Sequence, residues 1–138
     1  MSNNTNADAV AALIDATDKK TLAIWAADCA AHVLPVFTQE NPDDMRPRKA
    51  VDAARAWARG EMSVGEARKA AFAAHAAARG SADSRACFAA RAAGHAAATA
   101  HTAGHAVHSA AYAAKAAGAD AEAEREWQYR RLAEMGET

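Results

Sequence analysis

The chain has 138 residues, a formal net charge of −1, and only seven Gly and three Pro. About a third of it is Ala, a composition that excludes a β-rich fold and a disordered tail-like protein and leaves one helical domain of ordinary size. The charge is uneven: residues 41–80 carry eight Lys or Arg against five Asp or Glu, and the first forty residues are acidic on balance.

In chain order, residues 1–6 read as a frayed end, with Asn6 or Asp8 capping a short helix through Ala16. Asp18 caps the next helix, which runs to about Gln39 with Leu22, Trp25, Cys29, Val33 and Phe37 on its apolar side. Pro35 is expected to bend or divide it. Residues 41–44, NPDD, form a loop. Pro47 suits the first turn of a third helix, with Asp43 or Asp44 near its cap and Gly60 as its end. Ser63 and Glu66 have capping-box spacing and open a helix that ends at Gly80. Ser81 or Asp83 starts the next, and Asp120 caps a last helix through about Met135. In that helix the order of Glu122 and Glu124 before Arg125, Arg130 and Arg131 complements the helix dipole.

Residues 88–117, FAARAAGHAAATAHTAGHAVHSAAYAAKAA, are the central stretch. Ala has the highest helix propensity, and small side chains let helices approach closely. The run is either one helix or two helices meeting near Gly104. If it continues through Gly104, His101, His105, His108 and Tyr112 share one face, with Lys115 beside them, while Arg91, His95 and Thr102 lie on another. Such convergence suits zinc at His101, His105 and His108, with His75 or His95 in support. Plain core packing is the first reading of these histidines, and the same convergence would also suit a small-ligand pocket lined by His95, His101, His105, His108 and Tyr112. Residues 86–117 contain no Asp or Glu to serve as a base or second shell, which weighs against hydrolytic metal chemistry.

Other features restrict the function further. The two cysteines, Cys29 and Cys87, define no disulfide framework and read as small core residues, although Cys29 and His32 are helical neighbours. Acids interleave with the basic residues of 41–80, so nucleic acid is not expected as a partner. The start, MSNNTNADA, has no basic region followed by an apolar run, and no uncharged apolar span is evident. A cytoplasmic protein without a membrane partner is the expectation. Arg46, Arg48, Trp127 and Arg130 are candidate anchors of a protein interface. Ala-walled helices suggest a homodimer.

The segments WAADCAAHVLPVF, RPRKAVDAARAWARGE, SVGEARKAAFAAHAAAR, AARAAGHAAATAHTAGHA with SAAYAAKA, and EREWQYRRL together resemble a family of small helical immunity proteins associated with bacterial polymorphic toxin systems. The resemblance spans residues 22–132. It implies an all-helical cytoplasmic protein that binds and neutralises a cognate toxin. The fold expected is all-α: a single Ala-rich bundle of five to seven helices over residues 1–138. The function expected is non-enzymatic binding, with a small helical enzyme or ligand-binding protein built on the histidines as the alternative.

Overall fold

Residues 2–136 are described in the computed structural model, with side chains from Asp8 onward. The elements are α1 (Ser2–Asp15), α2 (Lys19–Glu40), α3 (Arg46–Ala58), α4 (Val64–Arg79), α5 (Ser84–Ala98), α6 (His105–Ala116) and α7 (Ala121–Gly136), with one 3-10 turn, Gly118–Asp120, before α7. The protein is therefore an all-α bundle, and no strand occurs among the described residues. The end expected to fray, residues 1–6, includes Met1 and side chains outside the described residues. Asn6 and Asp8 lie within α1 and not at its cap.

Local chemistry sets most of the boundaries. Asp18 accepts the Thr21 N–H at 2.7 Å, Ser63 the Glu66 N–H at 3.1 Å and Asp83 the Ala86 N–H at 2.8 Å. Each satisfies a donor that a helix start leaves free. The capping box is half made, because the Glu66 carboxylate accepts from Ser63 Oγ at 3.2 Å and not from the Ser63 main chain. Before α3, Asp44 accepts the Arg46 N–H at 3.1 Å. Gly60, at φ 77°, closes α3: its N–H reaches the Trp57 carbonyl, and the Glu61 N–H reaches the Ala56 carbonyl, both at 2.9 Å. That paired closure uses the left-handed conformation glycine adopts without strain.

Two expectations at helix interiors are decided by the structure. Pro35 does not divide α2. It is exposed, and Ala31, whose carbonyl loses its helical donor there, is half-buried, so water can supply the missing bond. The Ala run does break, at residues 99–104. Thr99 Oγ1 donates to the His95 carbonyl at 3.0 Å, and the main chain tightens into three-residue bonds from Ala100 to Ala97 and from His101 to Ala98. Thr102 and Gly104, both weak helix formers, follow.

The core lies around α5, which packs on α2, α3, α4 and α6. Its buried residues are seven alanines and Gly94. α2 supplies most of the large core side chains: Trp25, Leu34 and Phe37 are all at most 2% exposed. It is the one described helix long and apolar enough to cross a membrane, and in this fold its apolar residues face the bundle.

Specific polar bonds then fix the register of the helices. Trp25 Nε1 donates to the Gln128 carbonyl at 2.9 Å, and Gln128 Nε2 donates to the Ala110 carbonyl at 2.8 Å, which ties α7 to α2 and α6. Asp28 receives Arg55 from α3 and Arg131 from α7, both at 3.0 Å. Ser109 on α6 reaches the Ala92 carbonyl of α5 at 2.8 Å and the Ala26 carbonyl of α2 at 3.2 Å, where three helices meet.

Ser109 is fully buried, so its size matters more than its hydroxyl. Ser109→Ala is expected to cost less than about 1 kcal/mol, because both carbonyls also belong to helices. Ser109→Leu is expected to cost about 2 kcal/mol or more through overpacking. Urea denaturation of both variants checks the order.

Candidate functional site

The chain reversal at residues 99–104 lays α6 back along α5, and this brings the histidines together. His95 of α5 lies at the centre. Its ring is 4.9 Å from His75 of α4, 5.1 Å from His105, 5.3 Å from His108 and 5.4 Å from Tyr112, the last three on α6. His95 Nδ1 and His105 Nδ1 are 2.9 Å apart. One of these nitrogens must carry the proton and the other accept it. Gly94 makes the space for His75: a Cβ there would sit 2.7 Å from His75 Nε2. His75 Nδ1 is buried without a hydrogen-bond partner.

This cluster resists protonation. Burial lowers the His95 pKa to about 4, reinforced by the neighbouring His75, His105 and His108 and by Arg91. Burial also lowers His75, helped by Arg91 and Arg79, and lowers His105, helped by His108 and His101. The absence of Asp and Glu from residues 86–117 leaves no carboxylate on α5 or α6 to stabilise an imidazolium. At neutral pH His75, His95 and His105 are therefore neutral, with His95 stacked on His105 and Tyr112 and met edge-on by His75.

The residues named from sequence divide into those the fold gathers and those it separates. His95, His105, His108 and Tyr112 converge. His101 does not share their face, because it lies exposed in the turn between α5 and α6; the continuous stripe His101–His105–His108–Tyr112 required a helix through Gly104. Among the described residues no group of three or more His, Cys, Asp or Glu is placed to hold a metal ion, so the zinc expected at His101, His105 and His108 has no assembled ligand set. His75 was only loosely attached to the site by sequence; Gly94, a glycine inside an alanine helix, is the signal of a close approach.

The other candidates lie elsewhere. Arg46 is held by Asp44 through contacts of 2.7 and 2.9 Å, and Arg48 is exposed near the start of α3. Trp127 stacks on His32 at 4.0 Å, and His32 Nδ1 pairs with the nearly buried Glu124 at 2.8 Å. Two grooves flank Trp127, one of about 320 Å³ lined in part by His32, Arg85 and Glu124, the other lined by Trp127, Arg130, Arg131 and Glu134. Cys29 is fully buried, and burial pushes its thiol well up, followed by the Glu124 and Asp28 charges. It is a core residue, with His32 turned to Glu124.

Fold and site together define a small all-α protein, walled by alanine inside and with four of its six histidines collected along one seam. A family model described as "Imm-5 like putative immunity protein" matches residues 12–135, and the chain belongs to that family. No curated protein and no solved structure matches it.

The histidine cluster makes stability depend on pH. In the unfolded chain these imidazoles take up protons near pH 6.5. In the fold His95 does so only near 4. The unfolded state therefore binds more protons over that window. The stability contribution is complete above about pH 6.5 and is lost as pH falls toward 4. After allowance for solvent screening of half-exposed rings, a loss of about 1–2 kcal/mol is expected. Urea melts from pH 7.5 to 4 measure it, and His95→Asn should flatten the dependence. Gly94→Ala should push the His75 ring outward, destabilise the fold by about 1 kcal/mol net of helix propensity, and raise the His75 pKa toward its ordinary value in an NMR titration.

Proposed function

We propose that the protein is a binding inhibitor that neutralises a bacterial toxin in the cytoplasm and performs no chemistry of its own. The supporting observation is the family match, which covers residues 12–135 and so nearly the whole bundle. The histidines are read as structural because they pack ring against ring, with the Nδ1 atoms of His95 and His105 hydrogen-bonded to each other at 2.9 Å. An enzyme would aim such groups at a substrate-sized space.

A protein inhibitor needs an exposed surface with aromatic or Arg anchors. Use of Arg46 or Trp127 as an anchor would first require release from Asp44 or His32. A homodimer is a second association open to this chain. The alanines of α5 are buried within one chain, so its contact would use other residues, and sedimentation at micromolar concentration reads it directly.

Co-expression with a toxin-like product encoded beside the gene tests the proposal. The expected outcome is restored growth of the toxin-producing cells and co-elution of the two proteins as an equimolar complex. Growth arrest unchanged by the protein, with no complex on gel filtration, sinks the reading.

A further inference from the structure

Between Glu66 and Asp120 the chain has a single acid, Asp83, and its carboxylate is occupied as the α5 cap, accepting the Ala86 N–H. The same stretch builds α4, α5 and α6, which pack side by side with α5 in the middle. Helical spacing gives each of the three a polar-aromatic stripe: Arg68, Phe72, His75 and Arg79 on α4; Phe88, Arg91 and His95 on α5; His105, His108, Tyr112 and Lys115 on α6. The ring contacts of His75 with His95, and of His95 with His105, His108 and Tyr112, show that the stripes meet on one side of the molecule.

The cations of this face lie in that acid-poor stretch, whereas those of the rest of the chain lie in segments that carry several acids. Arg46, Arg55, Arg59 and Arg131 each pair with a carboxylate. Arg68, Arg79, Arg91 and Lys115 have no carboxylate within ion-pair distance among the described residues. Arg68 lies over Phe72 at 5.9 Å, and Lys115 over Tyr112 at 5.1 Å and Phe88 at 5.7 Å. Phe72 is 63% exposed, the most open of the large apolar side chains, and Val107 is 42% exposed. Aromatic residues with arginines are typical of protein interfaces, and fixed unpaired cations steer an oppositely charged partner.

We propose that the α4–α5–α6 face is the docking surface, and that it receives an acidic surface of a protein partner: carboxylates toward Arg79, Arg91 and Lys115, and an apolar contact on Phe72. This rests on the reading of the protein as a toxin-binding inhibitor and adds the face and the charge of the partner. Few cations and an exposed Phe favour a protein over a nucleic acid, whose phosphate backbone would call for a denser basic track.

Poly-L-glutamate serves as a partner-independent probe, followed by amide shifts in NMR at low salt. Shifts grouped on α4, α5 and α6 are expected, with at least about tenfold weaker binding for Arg79→Glu/Lys115→Glu and a return to weak binding near 0.15 M salt. Both residues are exposed, so the double variant should fold; Phe72→Ser is the second variant and should leave the poly-L-glutamate shifts in place. Shifts grouped around α3 or α7 overturn the proposal. So does tighter binding of a random duplex DNA than of poly-L-glutamate at equal salt. In the growth-protection assay, Arg79→Glu/Lys115→Glu and Phe72→Ser should each abolish protection that Arg46→Glu/Arg130→Glu retains; the reverse pattern overturns the face. Failure of the unaltered protein to protect would instead overturn the inhibitor reading, whatever the glutamate shifts show.

Discussion

Close approach of alanine-faced helices is the constraint on which this structure depends. α5 lies among four neighbours, and its buried residues are only alanines and Gly94. An interior made this way gains stability from many short contacts and from area removed from water, and has few large side chains to interdigitate. Methyl walls alone specify register weakly, since one alanine face resembles another. The bundle therefore places a small number of directional bonds where helices meet: Ser109 between α5 and α2, Gln128 and Trp25 between α7 and its neighbours, and Asp28 between α3 and α7. The first two are buried side-chain bonds to main-chain carbonyls, which set the helices' register even where, as at Ser109, the accepting carbonyl keeps its own helical partner.

The same constraint explains the histidine seam. Helices held this close leave room for a larger ring only where the facing residue is smaller still, and Gly94 under His75 is such a place. Imidazoles brought to van der Waals distance without a carboxylate stay neutral, and the Nδ1 atoms of His95 and His105 are hydrogen-bonded to each other. The seam thus joins α4, α5 and α6 by ring contacts, edge-on between α4 and α5 and stacked between α5 and α6, with Arg79, Arg91 and Lys115 along the same stripes. Packing inside and charge outside are consequences of a single acid-poor stretch.

Features set within a few residues were legible in the sequence. Asp18, Ser63, Asp83 and Gly60 mark helix ends because a cap or a left-handed turn is a local event. Local sequence does not decide the break at Gly104, since alanine propensity on both sides opposes Thr99, Thr102 and Gly104, and the balance depends on whether α6 can pack back on α5. The consequence for the histidines was therefore hidden. His95 and His101 change places relative to a continuous-helix reading: the first moves to the centre of the cluster and the second leaves it. Pro35 shows the opposite limit. Its local cost is real, but a long helix with Trp25, Leu34 and Phe37 buried on its other side outweighs one lost hydrogen bond.

α7 shows how a residue suited to an interface can be used inside the fold. Trp127 has the size and the arginine neighbours expected of a partner anchor, yet one face of its indole is taken by His32, whose Nδ1 is in turn held by Glu124. Glu124 is nearly buried, so removal of His32 from it would leave a carboxylate short of a partner in low dielectric. Trp127 and Glu124 thus both hold α7 to α2 through His32, and α7 is tied again at Asp28 and Gln128. Phe72 has no such obligation. It lies on α4 with Arg68 above it and 63% of its surface open, so a partner can cover it without dismantling anything that holds the bundle together.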